Sequence, residues 1–140
     1  MPGHEECHLF ASTLDSVDRA EEMVVARARQ LGMNEDQQYE IGVAIREGMV
    51  NAVAHGNQYD AAKQVTLTVS SDNGTLRLVV EDEGPGLDLE EVADPTQGDN
   101  LLRSSGRGLL LMRAFVDEFA VERREPRGTR VRMVKHVVPV

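Results

Sequence analysis

Asn73-Gly74 stands between two runs that alternate apolar and polar residues, Gln64 to Ser70 and Thr75 to Glu81, and this arrangement constrains the fold more than any other feature of the chain. Asn-Gly accepts the two successive left-handed backbone positions that a tight hairpin turn demands. The two runs are therefore read as neighbouring antiparallel strands. A hairpin with one apolar face has to bury that face against another layer, and the rest of the chain supplies helices to do so.

A short strand is expected around His8 to Ser12. From about Asp15 to Leu31, apolar residues recur at Val17, Ala20, Val24, Ala28 and Leu31 with charges between them, the pattern of an amphipathic helix that Gly32 ends. Asn34, with Gln37 three positions on, makes a capping box for a second helix running to about His55, where Gly56-Asn57 stops it and Gly56 is expected to supply a left-handed cap. Downstream of the hairpin, Gly84 to about Gly108 is rich in Gly, Pro, Asp, Ser and Thr, and a connection of that length inside a domain is usually a functional lid or a disordered segment. A third helix follows at about Arg107 to Val116. Two further strands are placed near Glu118 to Arg124 and Thr129 to Val137, around the turn Pro126-Arg127-Gly128. The expected fold class is thus an α/β (α+β) two-layer sandwich, with a mixed, mostly antiparallel sheet and about three helices on one face.

The second helix carries a carboxylate, a carboxamide and an imidazole, Glu47, Asn51 and His55, at fourth-residue spacing among Ile41, Ile45, Met49, Ala52 and Val53. Residues four apart share one helix face, so the three are expected to act as one polar stripe. A plain reading pairs Glu47 with an arginine and lets Asn51 satisfy backbone groups. The functional reading makes the carboxylate a general base and the amide oxygen a hard ligand for Mg²⁺ between phosphates. Asp82 emerges at the end of the run Leu76 to Val80, where a carboxylate can accept from a purine amino group. Gly84 and Gly86 remove side chains from the path of a flat base. Gly106 and Gly108 open the third helix, where backbone N–H groups are exposed to phosphates.

Other chemistries fit poorly. His4-Glu5-Glu6-Cys7-His8 matches the zinc-protease pattern, but that chemistry needs a helix, and in an extended strand the two histidines stand roughly 13 Å apart. The 140 residues suit one domain spanning residues 1–140 with a single core. A formal net charge of −9, with no Trp and only two Tyr and three Phe, argues against direct nucleic-acid binding. Arg103, Arg107 and Arg113 can offset that charge locally for an anionic nucleotide. The single Cys7 excludes an internal disulfide and fits a reducing compartment. With no secretory signal pattern and no long apolar run, the chain reads as cytoplasmic, without a membrane partner.

Taken together, Glu47-x-x-x-Asn51-Ala-x-x-His55-Gly56, Val80-Glu-Asp82-Glu-Gly84-Pro-Gly86, Ser105-Gly106-Arg-Gly108-Leu and Gly128-Thr129 occur in the order of a known ATP site. Over nearly its whole length the chain resembles the ATP-binding superfamily of type II topoisomerases, mismatch-repair ATPases and histidine kinases (the Bergerat-type fold). Within it, the His55-Gly56 ending looks like bacterial anti-sigma factor serine/threonine kinases. The resemblance implies ATP and Mg²⁺ as cofactors, a mobile ATP lid at about residues 87–107, Glu47 as base, Asn51 as the Mg²⁺ ligand and Asp82 as adenine acceptor. It also implies nucleotide contacts from His55, Gly84, Gly86, Ser105, Gly106, Gly108 and Thr129. Ser104 stands where such kinases often have arginine, so Arg103 and Arg107 are both candidates for the terminal phosphate. The partners so implied are a sigma factor, a small antagonist protein phosphorylated on Ser or Thr, and a second copy of the chain in a homodimer. The alternative is a non-catalytic module in which ATP gates protein binding through the lid.

Overall fold

In a computed structural model, residues 4–85 and 104–138 are described, with the backbone alone for residues 104–107. Strand β1 (His4–Ala11) leads into helix α1 (Leu14–Leu31) and helix α2 (Glu35–Val50), which continues into a π-helical turn (Asn51–Gly56). Strands β2 (Gln64–Asp72) and β3 (Thr75–Glu81), helix α3 (Ser104–Phe115), and strands β4 (Glu118–Arg123) and β5 (Thr129–His136) complete the order.

Local chemistry explains the boundaries. Thr13 caps α1 by accepting from the Ser16 N–H at 3.3 Å, and Gly32 ends that helix at φ +95°. The capping box of α2 is formed as expected: Gln37 N–H donates to Asn34 Oδ1 at 2.8 Å, and the Asn34 N–H to Gln37 Oε1 at 3.4 Å. Asn73 and Gly74 both take positive φ, +50° and +78°, and close the β2–β3 hairpin in the register Asp72 to Thr75.

The five strands lie in the order β1-β2-β3-β5-β4. Every neighbouring pair is antiparallel, so the expected mixed sheet is corrected to an antiparallel one. The reason is topological. The connection through α3 joins β3 to β4, which run in the same direction, but β5 pairs with both and separates them. Alternation sends Val65, Leu67 and Val69 of β2, Leu76, Leu78 and Val80 of β3, and Val131 and Met133 of β5 into one buried layer. Helices α1 and α2 close this layer with Val17, Val24, Ile41, Ile45 and Met49, and α3 with Leu109 and Met112, all fully buried. Each such aliphatic side chain withdraws enough apolar surface to favour folding by about 1.5–3 kcal/mol.

At the edge, β1 begins at His4, earlier than expected, and holds both histidines of the zinc-like motif in extended chain. Their Nε2 atoms go to the two oxygens of one carboxylate, His4 to Glu6 Oε1 at 2.6 Å and His8 to Glu6 Oε2 at 2.9 Å, while Arg27 of α1 also pairs with Glu6. These contacts bring the Glu6 pKa down to about 2, and the motif ties β1 to α1.

Candidate functional site

The site is built where α2 stops being an α-helix. From Asn51 to Gly56 the turn widens, and the Asn57 N–H donates to the Ala52 carbonyl at 2.8 Å, a spacing of five residues. The fourth-residue stripe expected of Glu47, Asn51 and His55 therefore breaks after Asn51. Asn51 is buried and Glu47 half-buried, whereas His55 is exposed at the end of the turn. The residue the wider turn delivers to the sheet is Gly56.

Gly56 is not the left-handed cap expected of it; its role is close approach. A side chain there would overlap the Asp82 carboxylate, and one at Gly84 would overlap the Gly56 carbonyl. The two glycines and Asp82 thus form one tightly nested cluster at the exit of β3. Asp82 Oδ1 accepts from the Gly84 N–H at 3.0 Å and the Thr129 N–H at 3.1 Å, and the Asp82 N–H donates to the Thr129 carbonyl at 3.1 Å. Thr129, buried at the start of β5, is in this way a backbone partner of Asp82. Burial pushes the Asp82 pKa up, while the N–H groups of Gly84 and Thr129 and the charges of Arg124 and Lys63 pull it back.

Asn57 was read in the sequence only as part of a helix stop. It is 1% exposed, and its side chain ties three segments together: Nδ2 donates to Ser12 Oγ at 3.0 Å and to the Gln64 carbonyl at 3.1 Å, and Oδ1 accepts from the Glu83 N–H at 2.8 Å. The signal available was an Asn directly after a helix-ending Gly, a residue type that bonds backbone in turns.

A second cluster lies one turn back along α2. Helix α3 begins at Ser104, before the expected start near Arg107, so Gly108 lies in its second turn rather than at its opening. A Cβ on Gly108 would stand 3.0 Å from Glu47 Oε2 and 3.5 and 3.6 Å from Asn51 Oδ1 and Nδ2. The carboxylate and the carboxamide therefore converge on one bare patch of α3 backbone. Among the described residues, Asn51 Nδ2 is the one buried side-chain nitrogen or oxygen without a hydrogen-bond partner. A buried amide left unpaired costs on the order of 1–3 kcal/mol, and the group it faces can be a ligand instead. The orphaned Nδ2 is a donor and suits an acceptor such as a phosphate oxygen, while the amide oxygen Oδ1, a hard ligand beside a carboxylate, fits a Mg²⁺ ion held between phosphates. Gly86, Arg103 and residues 87–103 of the lid expected at about 87–107 lie outside the described residues. Ser105, Gly106 and Arg107 are placed only as the helical backbone at the start of α3.

Comparison with known families matches residues 10–135 to the histidine kinase-like ATPase domain. The chain belongs to that family, in its anti-sigma factor branch. An anti-sigma F factor of Geobacillus kaustophilus is 35% identical over 136 residues, covering 94% of this chain and 92% of that protein. One from Bacillus subtilis is 31% identical over the same span and shares. Among solved structures, the mycobacterial sensor histidine kinase MprB superposes with a TM-score of 0.60 at 21% identity, covering 98% of this chain and 100% of that one. The catalytic domain of histidine kinase ThkA gives 0.61 at 17%, covering 96% and 99%. At those identities the structural likeness establishes the fold, and the ATPase family establishes an ATP-binding domain. No helix among the described residues is long and apolar enough to cross a membrane.

Proposed function

We propose that this ATPase domain is a Mg²⁺- and ATP-dependent protein serine/threonine kinase that holds a sigma factor and phosphorylates a small antagonist protein competing for the complex. The observation that carries the reading is the convergence of Glu47 and Asn51, whose amide nitrogen lacks a partner among the described residues, on Gly108. The 31–35% identity to anti-sigma F factors supports the choice of partners.

Phosphoryl transfer asks the protein mainly for positioning and charge neutralisation. Asp82, held by two backbone N–H groups, orients the purine, and Gly56 and Gly84 let the backbone close around that carboxylate. Asn51 would hold Mg²⁺, which supplies neutralising charge to the phosphates. Glu47, one turn from Asn51, takes the proton from the antagonist's Ser or Thr hydroxyl as that oxygen attacks. Arg103 or Arg107 meets the terminal phosphate, and the segment 87–107 acts as the lid. Cytoplasmic location and a homodimer go with this reading.

Glu47→Ala should keep nucleotide binding while phosphorylation of the antagonist falls by about 10²–10⁴-fold. Labelling at the normal rate by this variant overturns the base assignment. Survival of the label in acid checks the acceptor, since phosphoserine endures acid and phosphohistidine does not.

A further inference from the structure

Asp82 is held from a direction that none of the ATP-site motifs names. Arg124, just past the end of β4, closes the β4–β5 turn with its N–H on the Gly128 carbonyl at 3.0 Å. Its guanidinium then reaches back to the sheet: Nη1 donates to the Asp82 carbonyl at 3.2 Å, and Nε pairs with Glu81 Oε2 at 3.4 Å. Arg130 pairs with the same Glu81 oxygen at 3.1 Å, so the two guanidinium groups share one carboxylate. Gly128, at φ +109°, is needed here as well, because a side chain on it would overlap the Asp82 carbonyl. Arg124 is 28% exposed, so its charge acts on Asp82 through protein more than through water.

Other charged groups described around Asp82 are these. Lys63 lies before β2, and Glu83 is bound to the Gln64 N–H. Arg130 of β5 and Glu122 of β4 pair with each other, and His55 stands exposed next to Gly56. Among the described residues, Arg124 acts on the Asp82 carboxyl more than Lys63 does and is anchored by a hydrogen bond to the Asp82 main chain.

We infer that Arg124 is a positioning residue of the purine site: by holding the Asp82 main-chain carbonyl and Glu81 it keeps the Asp82 carboxylate aimed as an acceptor, and thereby makes the pocket select an amino-bearing purine over a keto one. This rests on the nucleotide reading above. A charged carboxylate only accepts, which suits the amino group of adenine; a protonated one carries an O–H that suits the O6 of a keto purine. Without Arg124, burial acts on Asp82 with less opposition and protonation comes at higher pH.

The test titrates Mg-ATP and Mg-ITP into the full chain in steps from pH 8 down to pH 4.5, for the natural protein, Arg124→Gln and Arg124→Lys. In parallel, carbon NMR follows the Asp82 carboxyl in nucleotide-free protein. Relative to the natural protein, Arg124→Gln should lose more ATP affinity at the low end of the range than at pH 8, with a reduced preference for ATP over ITP there. Its Asp82 midpoint should rise, and Arg124→Lys should restore it. Equal weakening at both ends of the range, an unmoved midpoint, or a Gln variant that no longer folds while the Lys variant does would each overturn the inference. If the midpoint moves but the natural protein binds no ATP, the nucleotide reading falls, and with it the selectivity drawn from it.

Discussion

The two halves of the site are finished to different degrees. Around Asp82, backbone meets backbone: Gly56, Gly84, Gly128 and Thr129 are interlocked, and the carboxylate already accepts two N–H bonds. Around Asn51, side chains meet a bare helix surface, and one buried amide nitrogen has no partner among the described residues. The purine half is a product of sheet register and exists whether or not a ligand is present. The half proposed for the phosphates leaves a buried amide nitrogen unpaired among the described residues, a hydrogen-bonding cost that the paired Asp82 carboxylate does not carry.

The largest effect separating the halves should come from adding a methyl group to each. Gly84→Ala forces a side chain onto the Gly56 carbonyl, a backbone atom that cannot swing away. It should destabilise the fold by at least about 2 kcal/mol and abolish ATP binding, read by urea unfolding and calorimetry. In Gly108→Ala the new carbon meets the ends of two side chains, Glu47 at 3.0 Å and Asn51 at 3.5 Å, which can give. Alanine also favours a helix interior by about 1 kcal/mol over glycine, so unfolding should shift by no more than about 1 kcal/mol either way while phosphotransfer drops. Equal destabilisation by the two variants would break the contrast.

The same contrast shows how far the sequence could be read. The Asn73-Gly74 hairpin, the Asn34/Gln37 box and the Gly32 stop depend on interactions within a few residues, and all three form as expected. Asp82 and Gly84 were visible because a strand pattern ended beside them. The π turn was not. Moving a hydrogen bond from the fourth to the fifth residue leaves no trace in composition or periodicity, yet it swings His55 outward and brings Gly56 to Asp82. Arg124 was equally hidden, since its partners Glu81 and Asp82 lie more than forty residues earlier in the chain and are met only once β5 pairs with β3. The antiparallel character of the whole sheet depended on that same placement of β5 between β3 and β4.

A smaller effect tests the unfinished half directly. Asn51→Leu replaces a buried amide that lacks a partner by an apolar group of similar size. The nucleotide-free protein should become more stable by about 1 kcal/mol, while Mg-dependent ATP binding is lost. A loss of stability in urea unfolding would mean that the amide is paid for inside the protein, and the two halves would then be equally complete.

The smallest effect belongs to Asp82 and is read through pH. Burial, its first cause, raises the folded-state pKa of this carboxyl above the ordinary 3.8. Between that ordinary value and the raised one, the folded protein holds a proton that the unfolded chain has released, so stability falls as pH rises through the window. Above it the full cost of the buried charge is present, and below pH about 3.8 the cost is gone. Asp82→Asn removes the charge and keeps an oxygen for the Gly84 and Thr129 N–H groups. Its unfolding free energy, relative to the natural protein, should therefore improve as pH is raised from 4 to 8, by under about 1 kcal/mol. A difference that is flat across that range would mean the two N–H groups and Arg124 already cancel the cost of burial, and the purine half would then be complete in charge as well as in shape.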